Sequence, residues 1–117
     1  MIQGIGLDIV EIERIHQIRT RQSRFPEKVL TKSELEDYQG LKETRKSEFL
    51  AGRFAAKEAF SKALGTGIGK ELSFHEMEIM VDERGKPYFK KPKETGVHLS
   101  ITHSRDYAAA QVIIEST

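Results

Sequence analysis

The strongest fold signal in the chain is the stretch KSEFLAGRFAAKEAFSKAL at residues 46–64. It is rich in alanine and leucine, which favour a helix, and Gly52 is its one weak position. Gly65 follows directly and is a typical C-terminal stop. Because the stretch is mostly apolar, we expect one long helix that is buried over most of its surface.

Two charged residues lie on this predicted helix at a spacing of four. Glu58 and Lys62 share one narrow stripe with Ala51 and Ala55. An ordinary Glu–Lys pair stabilises a helix by only about 0.2–0.5 kcal/mol, and it is the simpler interpretation of the two residues taken alone. The opposite side carries the residues expected in the core, Phe49, Ala56, Phe60 and Ala63.

Residues 2–9, IQGIGLDI, alternate apolar side chains with small or polar ones and predict a strand. Gly4 and Gly6 would let another backbone or a ligand come close to it. Helical spacing of apolar residues begins at Val10, so we expect Asp8 where the strand ends and a helix begins. There Asp8 could simply cap that helix, or it could bind a ligand.

Shorter signals predict the other helices. Arg14–Lys28 is interrupted by Pro26, which breaks any continuous helix. Thr31 and Glu34 have the spacing of a capping box, and Gly40 can end the short helix that this box opens.

Strand patterns dominate after the long helix. Apolar residues alternate on either side of a hairpin turn at 82–86, and again at 97–101. A last strand at 107–115 is so apolar that we expect it to be covered on both faces. This layout predicts an α+β fold, with a mainly antiparallel sheet packed against the long helix.

Length and composition limit the class of protein. The chain has 117 residues, a net charge of +1 and no cysteine, so we expect a single domain over 1–117. The charge argues against a nucleic-acid partner. The lack of cysteine excludes disulfides, thiolate zinc sites and a Cys nucleophile. With no apolar run of ~18 residues and no signal pattern, we expect a soluble, cytoplasmic protein without a membrane partner.

Asp8 and Glu58 together could give Mg²⁺ two oxygen ligands, since this ion is commonly held by one or two carboxylates, water and substrate phosphate. Zinc is a poor alternative because the four histidines have no paired spacing. The glycine loop at 65–69 and the hydroxyls at 100–104 could lie against a phosphorylated ligand. The simpler interpretation of the glycine loop is a helix cap with a turn, and that of the hydroxyls is an exposed strand end.

A basic segment lies at residues 14–28, where five arginines and lysines accompany one glutamate. Such a run is usually a solvated face. Here it is interleaved with isoleucines, which favours a docking surface for an acidic partner. RNA is the competing partner, but no aromatic platform accompanies the arginines.

Three segments together closely resemble the holo-[acyl-carrier-protein] synthase family, the short class of 4′-phosphopantetheinyl transferases. They are GIGLDIVEIERI at 4–15, FAAKEAFSKA at 54–63 and HLSITHS at 98–104. The resemblance covers essentially the whole chain. Its bipartite pattern, Gly-x-Asp followed by Lys-Glu-Ala-x-x-Lys, is specific to this superfamily.

The resemblance implies the 4′-phosphopantetheinyl transferase fold and a Mg²⁺-dependent enzyme. It would move the 4′-phosphopantetheine group of coenzyme A onto a serine of apo acyl carrier protein, release adenosine 3′,5′-bisphosphate and support fatty acid biosynthesis. Asp8 and Glu58 match the metal-binding carboxylates, and Lys62 matches the lysine beside the transferred phosphate. These three are the expected catalytic residues. The base stays open between Glu58, acting through a metal-bound water, and Lys62.

The same resemblance implies a homotrimer with sites between protomers, because larger relatives look like two copies of this fold in one chain. The apolar last strand, with Ala108 to Ala110 and Val112 to Ile114, is the expected interface element. Thr102 and His103 would reach coenzyme A bound mainly at a neighbouring protomer.

The remaining implied contacts concern both substrates. The residues expected to bind coenzyme A are Lys62, Gly65, Thr102 and His103, with Arg53 and Lys57 as weaker candidates for contact with its phosphates. Those expected to meet the acidic helix of the carrier protein are Arg14, Arg21 and Arg24. The alternative function is a non-catalytic docking module for acidic carrier proteins, which needs no paired Asp8 and Glu58.

Overall fold

The computed structural model of the chain describes residues 1–116. Strand β1 (Ile2–Glu11) is followed by helices α1 (Ile12–Arg21), α2 (Phe25–Val29), α3 (Lys32–Gln39) and α4 (Glu43–Leu64). A 3₁₀ turn at Phe74–Glu76 leads to strands β2 (Glu78–Val81), β3 (Pro87–Lys91), β4 (Val97–His103) and β5 (Tyr107–Glu115). No helix within residues 1–116 is long and apolar enough to cross a membrane.

The strands pair into two antiparallel sheets, one with the order β1-β5-β4 and one formed by the hairpin β2-β3. Helix α4 packs across β1, β5 and β4. Its alanines and Phe60 form the main core with Phe89 and Val112, and Phe60 and Phe89 lie 4.8 Å apart by ring centroids. The α+β prediction, with its antiparallel sheet on one long helix, is confirmed.

Two glycines let β1 lie directly on the backbone of α4. A Cβ atom added to Gly6 would lie 1.7 Å from the carbonyl oxygen of Ala59, and one added to Gly4 would lie 1.9 Å from that of Ala63. Any side chain at either position would therefore force the strand and the helix apart. The predicted close approach of another backbone is confirmed.

The predicted place of Asp8 at the end of its strand was wrong. Asp8 lies inside β1, opposite Ala110 of β5, and the strand continues to Glu11 before α1 begins at Ile12. Its interpretation as a helix cap was wrong as well, since Glu11 holds that position. Over so few residues, the apolar positions after Asp8 fit the spacing of a helix as well as that of a strand. Pairing with β5 makes this segment part of the strand.

The last strand is covered on one face only within the chain. Ala108, Ala110, Val112 and Ile114 are buried against α4, so most of the expected interface residues lie in the core of their own chain. The alternate residues point away, and Tyr107 is 46% exposed. The expectation of cover on both faces was wrong for a single chain, because an apolar residue can also face out of the sheet.

The outward face of the three-stranded sheet is an apolar surface. Ile5, Leu7 and Ile9 of β1 are 58%, 62% and 65% exposed, and β5 adds Ala109 and Ile113 beside them. We call this surface the outer sheet face. A contiguous exposed apolar surface of this kind is typical of an interaction site.

Local signals located most helix ends correctly. The capping box of Thr31 and Glu34 is formed, and Gly65 ends α4 in the left-handed region at φ 83°. Helix α4 begins at Glu43, three residues before the predicted start at 46. Pro26 lies in the first turn of α2, after the break that separates this helix from α1.

Candidate active site

Asp8, Glu58 and Lys62 form one cluster between β1 and α4. The Lys62 ammonium donates hydrogen bonds from Nζ to Asp8 Oδ1 at 2.9 Å and to the carbonyl oxygen of Leu7 at 3.1 Å. Asp8 shares its side of the strand with Gly4 and Gly6, so its carboxylate faces α4. The structure thus brings the three predicted catalytic residues together.

The pKa of Glu58 is raised by partial burial and, next, by the negative charge of Asp8. The nearby Lys62 ammonium offsets only part of this effect. Two carboxylates therefore share a site in which Lys62 only partly offsets their negative charge, and a bound cation would favour the ionised form of both. These donors fit Mg²⁺, which accepts carboxylate oxygens and keeps several waters. Within residues 1–116 there is no cluster of three or more metal-ligating His, Asp or Glu side chains, so water and substrate would complete the coordination.

Asp8 and Glu58 open into a pocket that we call the carboxylate pocket. Its other walls include Arg14, Ile15, Phe25 and Phe54. The rings of Phe25 and Phe54 lie 6.1 Å apart by centroids and form an apolar floor beside the two acids. Sequence reasoning missed both rings as functional candidates, because an aromatic residue on a helix usually belongs to the core.

Three arginines predicted to dock a partner lie exposed near this pocket. Arg14 on α1 lines it, Arg21 ends α1, and Arg24 directly precedes α2. The three arginines place positive charge on the solvent-exposed surface at one side of the two carboxylates. This arrangement allows an acidic partner to approach the pocket.

A second pocket, which we call the arginine pocket, lies further towards the start of α4. It is lined by Arg45, Glu48, Arg53 and His103, together with Phe49 and Ile101. His103 Nε2 lies 3.1 Å from Glu48 Oε1, and the Arg53 guanidinium lies 4.3 Å from the centroid of the Phe49 ring. Sequence reasoning missed Arg45 and Glu48, although their spacing with Gly52 places all three on one helix face.

Arg53 has an unsatisfied donor in this pocket. Its buried Nε has no hydrogen-bond partner among the described residues, and burial lowers the pKa of the guanidinium. The charges of Glu34 and Asp37 counter that shift only in part. An anion in the arginine pocket would supply both the missing charge and the missing acceptor.

The single chain does not join these residues into one site. Within residues 1–116, the carboxylate pocket and the arginine pocket share no lining residue. Thr102 faces the other way from His103, into a depression with Leu7 and Gln111 at the outer sheet face. Gly65 lies exposed at the end of α4, where its N–H bonds to the carbonyl oxygens of Ser61 and Lys62.

Lys57 does not reach either pocket. Its side chain is fully buried, and its ammonium donates to Glu34 Oε1 at 2.6 Å and to the carbonyl oxygen of Val29 at 2.8 Å. The weaker expectation that Lys57 helps to bind phosphates was therefore wrong. It lies next to Glu58 in sequence, but consecutive helix residues point about 100° apart.

A family model described as the 4′-phosphopantetheinyl transferase superfamily matches residues 4–112. The chain belongs to this superfamily. A relative named holo-[acyl-carrier-protein] synthase from Bacillus subtilis (strain 168) is 62% identical over 117 residues, which cover 98% of this chain and 97% of the relative. A second with that name, from Bacillus pumilus, is 61% identical with the same coverage. The resemblance read from the three segments is confirmed, and the chain is an enzyme, a 4′-phosphopantetheinyl transferase.

Solved structures agree over the full length. A holo-(acyl-carrier-protein) synthase from Bacillus anthracis, described as a complex with CoA (3′,5′-ADP), is 52% identical with a TM-score of 0.90. The match covers 100% of this chain and 99% of that one. A holo-[acyl-carrier-protein] synthase from Neisseria meningitidis is 36% identical with a TM-score of 0.88, covering 99% and 100% of the two chains.

Proposed function

We propose that this transferase moves the 4′-phosphopantetheine group of coenzyme A onto a serine of apo acyl carrier protein and releases adenosine 3′,5′-bisphosphate. The observation that carries the proposal is the cluster of Asp8, Glu58 and Lys62 at an open pocket. The names of the relatives support it, as does the coenzyme A complex of the Bacillus anthracis protein. The holo carrier would serve fatty acid biosynthesis.

Asp8 and Glu58 would hold Mg²⁺ in this proposal. Bound there, the ion would supply positive charge that neutralises the pyrophosphate of coenzyme A. The raised pKa of Glu58 supports the assignment, because the two acids meet in a place where only Lys62 offsets their charge.

Lys62 and Glu58 have separate parts in the transfer. Lys62 donates hydrogen bonds to Asp8 and to the Leu7 carbonyl, and these bonds would hold its side chain beside the reacting phosphate. Glu58, which lines the same pocket as Asp8, would accept the proton of the carrier serine. The serine oxygen then bonds to the phosphorus of phosphopantetheine, and the bond to the adenosine bisphosphate breaks.

The acyl carrier protein would dock across Arg14, Arg21 and Arg24. Arg14 is shared between this surface and the carboxylate pocket, so a docked acidic helix would bring its serine close to Asp8 and Glu58. The apolar floor of Phe25 and Phe54 would receive an apolar part of the partner.

The active unit would be a homotrimer with sites between protomers. The outer sheet face supports association, since Ile5, Leu7 and Ile9 are all more than half exposed in the single chain. Thr102 opens onto that face. His103 and Arg53 of one protomer would then contact phosphates of coenzyme A that is held mainly by the cluster of Asp8, Glu58 and Lys62 on its neighbour.

An intact-mass assay tests the proposed function. The purified protein is incubated with apo acyl carrier protein, coenzyme A and Mg²⁺, and the mass of the carrier is measured. A gain of one phosphopantetheine group that EDTA suppresses is the expected result. No gain from a folded protein would contradict the proposal, and a gain that persists in EDTA would contradict the metal assignment alone.

A further inference from the structure

A buried ion pair joins five separate segments of the chain next to the carboxylate pocket. The Lys57 ammonium donates to Glu34 Oε1 at 2.6 Å, to the carbonyl oxygen of Val29 at 2.8 Å and to that of Phe74 at 3.3 Å. Glu34 in turn accepts from the backbone N–H of Thr31 at 2.8 Å and of Ile79 at 2.7 Å. The two side chains are 0% and 1% exposed.

The ion pair anchors helix α2 at its C-terminal end. Val29 is the last residue of α2, which has only five residues. A helix this short gains little from its own hydrogen bonds and depends on contacts with the rest of the fold. The bond from Lys57 to the Val29 carbonyl satisfies a group that the helix itself leaves without a donor.

The start of α2 forms a wall of the carboxylate pocket. Arg24 and Phe25 stand at this end, and the Phe25 ring lies 6.1 Å from that of Phe54. Phe54 lies 5.7 Å from Phe74, whose carbonyl also accepts from Lys57. The ion pair therefore bonds to the backbone of Phe74, at one end of the aromatic row Phe25–Phe54–Phe74, and to the last residue of the short helix that carries Phe25 at the other end.

Stability alone gives no reason for an ion pair here. Apolar residues of similar size are often as stabilising as a buried pair of charges, because the charges lose their hydration. Burial lowers the pKa of Lys57, and the charge of Glu34 counters this shift. The pair instead fixes the positions of the segments around it, because each charged group requires hydrogen-bond partners at defined places.

We infer that Lys57 and Glu34 are positioning residues for carrier-protein docking, which they support by fixing α2 and the wall formed by Arg24 and Phe25. The inference rests on the proposed function, because it needs the carrier to dock at this wall. Neither side chain touches the substrates. Their loss therefore weakens the use of carrier protein and leaves coenzyme A binding unchanged.

The test compares Lys57→Met with wild type and with Ile114→Val, a core substitution in β5 remote from α2 that controls for lost stability. Lys57→Met is expected to raise the KM for apo acyl carrier protein roughly tenfold, with the KM for coenzyme A and kcat at saturating carrier unchanged. Amide hydrogen exchange is expected to speed up in residues 24–30 and not in β1. The control is expected to change none of these quantities.

Arg24→Glu in the same assay separates this inference from the proposed function. If Arg24→Glu raises the KM for carrier and Lys57→Met does not, or if Lys57→Met changes both KM values alike, the positioning role is overturned. If wild type transfers nothing, both proposals fail. Should Lys57→Met not fold, Glu34→Gln takes its place, because it keeps the size of the side chain but replaces one of the two oxygens that accept from Thr31 and Ile79 with an NH₂ group, and the same outcomes decide.

Discussion

The Lys62 ammonium and the Asp8 carboxylate are joined by a hydrogen bond of 2.9 Å, although 54 residues separate them in sequence. The contact depends on the close approach of β1 to α4, which Gly4 and Gly6 permit. Because Asp8 lies at the next inward position after these glycines, the same packing that joins strand and helix also places the carboxylate beside Lys62.

Gly6→Ala is expected to destabilise the protein by about 3 kcal/mol or more, since the new Cβ would lie 1.7 Å from the carbonyl oxygen of Ala59 and neither backbone can yield. Urea unfolding measures the loss. Gly69→Ala is the matched control, because among the described residues its Cβ would meet nothing within 4 Å. Equal stabilities of the two variants would show that the strand does not rest on the helix backbone.

Glu58→Gln is expected to lose transfer activity but to raise the melting temperature of the metal-free protein at pH 7. The pKa of Glu58 is raised, so the folded state binds this proton more tightly than the unfolded chain does. At a pH above the pKa that Glu58 has in the folded protein, its ionised carboxylate therefore lowers the free energy of unfolding. This loss of stability disappears as the pH falls through that pKa. The gain should stay below about 1 kcal/mol because solvent screens a half-buried group.

Thermal unfolding in EDTA checks this sign at two pH values. The difference between Glu58→Gln and wild type should be present at pH 7 and absent at pH 4, below the ordinary glutamate value of about 4.3. A variant that is less stable than wild type at pH 7 would show that Glu58 is stabilised by partners in the folded state.

Local signals made part of the fold predictable. The capping box of Thr31 and Glu34 and the stop at Gly65 act over a few residues, so the ends of α3 and α4 could be read from the sequence. Residue types alone suggested Asp8 and Glu58 as two ligands of Mg²⁺, but only the family resemblance grouped Lys62 with them and favoured this site over simpler interpretations. By themselves those residues fit an ordinary helix pair and a cap.

Neighbouring elements decided what the sequence could not show. Asp8 lies inside β1 because β5 pairs with it there, and Leu7 faces outward because the glycines face α4. Lys57 and Glu58 are adjacent in sequence, yet one is buried with Glu34 and the other lines an open pocket. Such differences depend on what packs against each face of a helix or strand.

Arg14→Glu is expected to raise the KM for apo acyl carrier protein roughly tenfold, because it places like charges together at the docking surface. The KM for coenzyme A should change little. Lys90→Glu reverses an exposed charge on β3, in the other sheet, and is expected to leave both values unchanged. An equal loss for both substrates with Arg14→Glu would argue against docking at this surface.

If the protein forms the proposed trimer, Leu7→Lys is expected to convert it into monomers and to abolish transfer, because the substitution adds a charge to the outer sheet face, where Leu7 is 62% exposed. Sedimentation velocity measures the assembly. Val81→Lys is the control, since Val81 is also exposed but lies on the hairpin. A wild-type protein that is monomeric and fully active would contradict a site shared between protomers.

The most direct test of the central claim, that the carboxylates at β1 and α4 carry the transfer, is the intact mass of apo acyl carrier protein after one turnover with coenzyme A and Mg²⁺. Wild type is compared with Asp8→Asn and with Glu83→Gln, which neutralises an exposed carboxylate in the hairpin turn. We expect wild type and Glu83→Gln to add one phosphopantetheine group and Asp8→Asn to add none. Transfer by Asp8→Asn at the wild-type rate would contradict the account.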